Sequence, residues 1–178
     1  CRSENGVDRW NSILNAGTAQ VMISALNNRV NKNSLRRLEL FDSNLGTQQS
    51  AELINSLNQC NNLVRLCLGG NHIGLLGCQA LGRLLSNINS QLYTLHLEYA
   101  DINDECIRVF ANVMASFNRL KSLSLSGNGD ITPNGWETLA RVLSHPNSLE
   151  ALYMSESSLE HRGAAAFATA LVNNATLK

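Results

Sequence analysis

Two residues that could act together as a nucleophile, Cys67 and His96, are separated by 29 positions in this chain. Glu39 precedes Cys67 by 28 positions, and Glu98 follows His96 by two. An imidazole can accept the proton of a thiol and leave a reactive thiolate, whereas thiol, imidazole and carboxylate groups together can bind a metal ion. Either chemistry requires a fold that brings these four side chains together.

A repeating leucine pattern surrounds these residues and sets their spacing. Five segments carry leucine at the first, fourth and sixth places, with methionine at one sixth place: Leu35–Leu38–Leu40, Leu63–Leu66–Leu68, Leu92–Leu95–Leu97, Leu120–Leu123–Leu125 and Leu149–Leu152–Met154. Successive segments begin 28, 29, 28 and 29 residues apart, and Leu177 begins a sixth segment 28 residues later. Such a constant period predicts a solenoid of leucine-rich repeats.

Each repeat predicts a short strand, a turn and a helix. Apolar pairs four residues apart indicate one face of that helix: Leu53 and Leu57, Leu81 and Leu85, Phe110 and Met114, Leu139 and Leu143, Phe167 and Leu171. Within a single domain we expect complete repeats at 35–62, 63–91, 92–119, 120–148 and 149–176.

Both ends of the chain predict partial repeats. Residues 1–34 are expected to form an incomplete preceding repeat, and residues 177–178 the start of a truncated one. The helix of the first partial repeat is expected at residues 17–31. Its apolar stripe would consist of Val21, Met22, Ala25, Leu26 and Val30.

The repeat pattern resembles the ribonuclease-inhibitor-like superfamily of leucine-rich-repeat proteins, which includes ribonuclease inhibitor, the sensor modules of NOD-like receptors and the Ran GTPase-activating proteins. The resemblance implies an α/β horseshoe with a parallel sheet on the concave side and α-helices on the convex side. It also implies an asparagine at the ninth place, whose amide bonds backbone groups in the turn. Asn71 and Asn128 keep this residue, whereas the third repeat has Ala100. We therefore expect the third turn to be the least well bonded, since unpaired buried backbone groups are costly.

Charge and composition narrow the class of partner. Lysine plus arginine number 14, as do aspartate plus glutamate, so the chain offers no broad basic track to a nucleic acid. No apolar run approaches the ~18–20 residues of a membrane span. The cysteines number five and form no C-x-x-C pair, which indicates free thiols in a reducing compartment. We expect a cytoplasmic protein without a cofactor or a metal ion, and neither nucleic acid nor membrane as its partner.

The concave face holds the candidate binding residues. Because strand side chains alternate, the third, fifth and seventh places of each repeat face away from the core. The first three repeats carry arginine, aromatic and acidic residues there, whereas the fourth carries serine only, leaving Tyr153 isolated beyond it. Arginine and aromatic side chains dominate protein interfaces, and serine contributes little. The residues expected to contact a partner are Arg37, Glu39, Phe41, Arg65, His96, Glu98, Tyr99 and Tyr153.

A catalytic or metal site at Cys67 and His96 is the weaker interpretation. Neighbouring strands in register would set these residues about 4.8 Å apart. An open sheet, however, offers no pocket to enclose a substrate and no donors to stabilise an oxyanion.

The sequence therefore favours a non-enzymatic module that binds a protein or peptide, with further repeats or domains in the same parent protein. Two alternatives remain open. One is a GTPase-activating protein of the Ran-directed type, although no residue here matches a catalytic loop of that family. The other is the ligand-sensing or autoinhibitory repeat module of a NOD-like receptor. On the convex side, Cys78, Ile107 and Trp136 are expected to pack between helices rather than to bind a partner.

Overall fold

Strands and helices alternate along the chain in a computed structural model, which describes residues 16–27, 34–116 and 119–178. The strands in this part of the chain are Arg37–Glu39 (β1), Arg65–Cys67 (β2), Thr94–His96 (β3), Ser122–Ser124 (β4) and Ala151–Tyr153 (β5). The helices are Ala16–Asn27 (α1), Thr47–Ser56 (α2), Gly74–Ser86 (α3), Asp104–Met114 (α4), Pro133–Leu143 (α5) and Glu160–Asn173 (α6). A short 3₁₀ helix, Leu57–Gln59, follows α2.

The strands form one parallel sheet in chain order. Its register places the fifth residues of successive repeats side by side: Glu39, Cys67, His96, Ser124 and Tyr153. The fourth-place leucines point the other way and are at most 2% exposed: Leu38, Leu66, Leu95 and Leu123. These leucines and the apolar faces of the helices form a continuous core. The predicted α/β leucine-rich-repeat solenoid, with the sheet on its concave side and the helices on its convex side, is confirmed.

Polar residues fix where two of the helices begin. The Asn103 side chain accepts hydrogen bonds from the backbone N–H groups of Glu105 and Cys106, both at 3.1 Å, and so caps α4. Thr132 caps α5 by accepting from the N–H of Asn134 at 3.2 Å, and Pro133 occupies the first helical position. Both are favoured helix-start residues, so the loops after β3 and β4 end at defined points.

Two buried asparagines hold the turns together. The Oδ1 atom of Asn71 accepts from the N–H groups of Ser43 and Leu45 in the preceding turn, at 3.1 and 3.0 Å. Its Nδ2 atom donates to the carbonyls of Leu40 and Leu68, at 2.6 and 2.9 Å. Each asparagine therefore bonds its own turn and the turn one repeat earlier.

The expectation that the third turn would be the least well bonded is wrong. The N–H groups of Ala100 and Ile102 donate to Oδ1 of Asn128, at 2.9 and 3.1 Å. The ninth-place side chain accepts from the turn of the preceding repeat. Ala100 therefore leaves the turn of the second repeat, and not its own turn, without a side-chain acceptor. There the N–H of Ile73 donates to the carbonyl of Asn71, at 3.0 Å.

Most of the predicted helix faces are buried, with two exceptions. Leu171 is 49% exposed, because α6 has no following helix packed against it in the described residues. In α1 the predicted stripe is right in part: Met22 and Leu26 pack against the core. Val21 and Ala25 are exposed and Ile23 is buried in their place, while Val30 lies outside the described residues. The predicted packing of Cys78, Ile107 and Trp136 between helices is confirmed, since each is 0% exposed.

None of the helices in the described residues combines the length and the apolar character needed to cross a bilayer.

Replacing a core leucine of the middle strand should destabilise the solenoid. Leu95 is 0% exposed, so Leu95→Ala should lower the free energy of unfolding by ~2–5 kcal/mol through the cavity it leaves. Denaturant unfolding followed by circular dichroism measures this change. Leu76→Ala is the matched control, because Leu76 is half-exposed on α3 and its loss should cost less than ~1 kcal/mol. A loss below ~1 kcal/mol for Leu95→Ala would contradict the strand register.

Removing an asparagine amide should cost more than removing a serine at the equivalent place. Asn128→Ala leaves buried backbone groups of two turns without their partner, and should lower the free energy of unfolding by at least ~2 kcal/mol. Ser157→Ala should change it by less than ~0.5 kcal/mol, because that hydroxyl bonds only the nearby Ser155 carbonyl at 3.4 Å. Equal losses in the two variants, measured by the same unfolding experiment, would show that the asparagine has no special structural role.

Candidate protein-binding surface

Cys67 lies on the concave face but is covered by its neighbours. It is 6% exposed, between His96 on β3 and the side chain of Glu39 on β1. Arg65 Nε lies 3.1 Å from Glu39 Oε1, so an ion pair crosses the first two strands beside the thiol. Burial raises the pKa of the Cys67 thiol to about 11, and the opposing effect of the Arg65 guanidinium is smaller. This thiol stays protonated near neutral pH.

His96 is also partly buried, beside Glu98. Its Nδ1 atom lies 3.5 Å from Glu98 Oε1, and its side chain is 17% exposed. Burial lowers the pKa of His96, although the carboxylate of Glu98 acts in the opposite direction. Since the pKa of Cys67 is raised while that of His96 is lowered, transfer of a proton from thiol to imidazole is unfavourable. Their adjacency, which the sequence correctly predicted, therefore does not create an activated nucleophile.

A metal site at the same place has no support in the structure. In the part of the chain that is described, no group of three or more His, Cys, Asp or Glu side chains is arranged to hold a metal ion.

Tyr153 is not isolated from the other candidate residues, contrary to the sequence-based expectation. Its ring meets that of His96 edge to face, with centroids 6.5 Å apart and planes at 71°. Ser124 lies between them on β4 and is 2% exposed. A serine side chain is too short to separate two rings on the flanking strands, so the rings meet above it. Serine in the fourth repeat thus allows the aromatic contact.

Two further rings lie over glycines beyond the strand ends. A Cβ atom added at Gly69 would lie 2.7 Å from Cε2 of Phe41, and one added at Gly127 would collide with the ring of Tyr99. Each ring therefore extends over the glycine of the next repeat. The nearby Glu156 carboxylate also raises the pKa of the Tyr99 hydroxyl. Sequence reasoning missed these glycines, although each occurs one repeat after the aromatic residue that it accommodates.

The candidate residues differ in how much of them a partner could reach. Phe41, Tyr99 and Tyr153 are 52%, 50% and 52% exposed, and Arg37 is exposed at the start of β1. The remaining candidates are half-buried and occupied by contacts within the sheet: Glu39, Arg65, His96 and Glu98. The accessible part of the surface is thus mainly aromatic.

The family model described as "Leucine Rich repeat" matches residues 59–82 and 119–140. The chain is also 27% identical to ribonuclease inhibitor from Sus scrofa, over 73% of the chain and 35% of that protein. It is 29% identical to "NACHT, LRR and PYD domains-containing protein 3" from Bos taurus, over 65% of the chain and 11% of that protein. Identity is 27% to "Protein phosphatase 1 regulatory subunit 37 homolog" from Caenorhabditis elegans, over 54% of the chain and 10% of that protein. The chain thus spans about a third or less of the length of these curated relatives.

Two solved structures share the architecture. "Leiomodin-1 Actin-Binding Site 2" superposes with a TM-score of 0.71 at 13% sequence identity, covering 86% of this chain and 87% of that one. The tropomodulin C-terminal domain of Caenorhabditis elegans superposes with a TM-score of 0.68 at 13% identity, covering 88% and 92%. At this level of identity the likeness concerns the fold alone.

Cys67 should react slowly with a mild alkylating reagent. A thiol with a pKa of about 11 carries roughly a hundredfold less thiolate at pH 8 than one at the ordinary value of 9.0. Alkylation followed residue by residue by peptide mass mapping should show Cys67 reacting far more slowly than glutathione. The rate should rise to that of a free thiol in denaturant.

His96→Ala serves as the test of an activated pair. This substitution should not reduce the rate at Cys67, because the imidazole does not withdraw the thiol proton. A fast native reaction that His96→Ala abolishes would contradict the inert thiol and restore the enzymatic interpretation.

Proposed function

Because the chain is a leucine-rich-repeat solenoid of the ribonuclease-inhibitor-like type, we propose that it is a non-enzymatic module whose concave side binds a protein or peptide. One observation carries this proposal. Phe41, Tyr99 and Tyr153 each leave about half of their surface exposed on the strand-bearing side. Exposed rings held on a rigid sheet are the side chains that most often anchor a protein interface.

The rigidity of these rings supports the proposal. Tyr153 packs edge to face on His96, and Phe41 and Tyr99 extend over glycines of the following repeats. A ring that is already held in place loses little conformational freedom when a partner binds. Binding therefore retains more of the interaction free energy of each ring.

The chemistry of the surface favours binding over catalysis. The Cys67 thiol is buried with a raised pKa, and the His96 imidazole has a lowered pKa. One similar protein is named for the regulation of another protein, the phosphatase 1 regulatory subunit 37 homolog. That name supports protein binding as the class of function for this chain without indicating a particular partner.

A second candidate function has one specific observation in its favour. The similarity to "NACHT, LRR and PYD domains-containing protein 3" covers 65% of this chain and 11% of that protein. A match to most of this chain but to a small part of a longer protein is expected of a repeat module within a multidomain receptor. A nucleotide-binding domain in the parent protein would favour this candidate. The Ran-directed GTPase-activating alternative has no matching catalytic residue in the described part of the chain.

Loss of an exposed concave ring should weaken binding to a natural partner. A protein captured from the source cell and purified would be titrated by calorimetry against each variant. Phe41→Ala and Tyr153→Ala should each weaken binding by ~1–3 kcal/mol, because both remove half-exposed anchors.

Tyr93→Ala is the matched control. Tyr93 is 46% exposed and lies directly before β3, at the opposite end of the strands, so its loss should change binding by less than ~0.5 kcal/mol. If Tyr93→Ala weakened binding as much as the other two, or if only Leu76→Ala on the helical side mattered, the concave side would not be the binding surface.

A further inference from the structure

The loops that follow the strands carry negative charge without lysine or arginine. We define the strand-end rim as residues 41–46, 69–73, 98–103, 126–132 and 155–159, which lie between each strand and the next helix. Its acidic residues are Asp42, Glu98, Asp101, Asp130 and Glu156. The only basic side chain in these five loops is the imidazole of His72. A chain with zero formal net charge therefore has one strongly acidic edge.

The rim carboxylates differ in their partners from four carboxylates elsewhere on the described surface. Glu39, Glu105, Glu137 and Glu150 each form an ion pair with arginine or lysine. Among the described residues, no ion pair joins a rim carboxylate to arginine or lysine; Glu98 and Asp101 approach only histidines. Within the described residues, the rim charge is thus not paired with arginine or lysine.

Helix stability accounts for only part of this pattern. Acidic residues in the first turn of a helix interact favourably with its dipole, as Asp104 and Glu105 do in α4. The effect falls off within about one turn. Asp42 and Glu98 precede their helices by five and six residues, so the dipole does not explain their position.

The two exposed rings of the rim, Phe41 and Tyr99, lie among these charges. Phe41 lies beside Asp42, and Tyr99 lies between Glu98 and Asp101 in the chain, near the Glu156 carboxylate that raises its pKa. Phe41 is the seventh residue of the first repeat and Tyr99 the eighth of the third. Two strand spacings and the rise of one residue therefore separate their backbones by ~10 Å. An aromatic face attracts a cation, and more strongly when carboxylates flank it.

We propose that the strand-end rim binds an extended, cationic peptide segment of a partner protein. Two Lys or Arg side chains of that segment lie over the rings of Phe41 and Tyr99, between the rim carboxylates. A polyproline II segment repeats its side-chain direction every three residues, over ~9 Å, which is close to the ~10 Å between the backbones of Phe41 and Tyr99. The two cations are therefore three residues apart. This inference rests on the proposed function and specifies the chemistry of the partner.

Synthetic peptides test the proposal directly. The first probe is a fluorescein-labelled peptide of repeated Arg-Pro-Pro, and the comparison peptide has glutamate in place of each arginine. A third peptide of the same composition and length has its arginines regrouped in adjacent pairs. Fluorescence anisotropy of the folded chain should show binding of the Arg-Pro-Pro peptide that weakens as salt is added, weaker binding of the regrouped peptide, and no binding of the glutamate peptide.

Substitutions in the rim separate the ring contribution from general charge attraction. Tyr99→Leu and Phe41→Leu keep apolar surface but remove the π face, and each should weaken binding about two- to fivefold. Asp42→Asn should also weaken it. Glu105→Gln is the charge control, since Glu105 is already paired with Arg108, and should leave affinity within twofold.

Three results would overturn the inference. The first is that the glutamate or the regrouped peptide binds as tightly as the Arg-Pro-Pro peptide. The second is unchanged affinity in both leucine variants, and the third is a loss of affinity in Glu105→Gln as large as that in Asp42→Asn. Circular dichroism of each variant ensures that a loss reflects the side chain and not unfolding. A failure of this inference can be told apart from a failure of the proposed function. If a natural partner requires Phe41 and Tyr153 but contacts the rim without a cationic segment, the proposed function stands and only the cationic-peptide inference is wrong.

Discussion

The geometry of the proposed binding surface depends on the amides of two buried asparagines. Asn71 and Asn128 each accept from two backbone N–H groups of the preceding turn and donate to carbonyls on both sides. The leucine ladder beneath the sheet supplies the apolar burial, but burial is non-directional. The amide bonds are directional, and they fix how far each turn projects beyond the strand. The positions of the rim rings and carboxylates follow from that projection.

Much of the fold could be read from the sequence because one physical rule repeats. Leucines at the first, fourth and sixth places must be buried, and their constant period admits only a stack of strand–helix units. The register that pairs Cys67 with His96 followed from the same rule. The direction in which the ninth-place amide reaches did not, because a spacing within one repeat does not say which neighbouring repeat a side chain will bond.

The candidate site was less predictable, because accessibility depends on lateral neighbours. Alternation along a strand correctly placed Cys67 and Ser124 on the concave face, yet both are buried by larger side chains from adjacent strands. The ring of Tyr153 contacts that of His96 because Ser124, which lies between them on β4, has a small side chain. Overall composition also concealed the separation of charge, since equal totals of acidic and basic residues say nothing about where each sign lies. Such properties arise between repeats and require coordinates.

The two asparagine amides, 57 positions apart at Asn71 and Asn128, each join a repeat to the one before it. The backbone N–H groups of the turns at Ser43 and Ala100 donate to them. The junctions that precede Ala100 and Ser157 have no such amide, and the Ser157 hydroxyl bonds only within its own turn. Stability is therefore unevenly distributed along the stack. Local opening between repeats, followed by hydrogen exchange, should occur more readily at these two junctions than at the two that an asparagine joins.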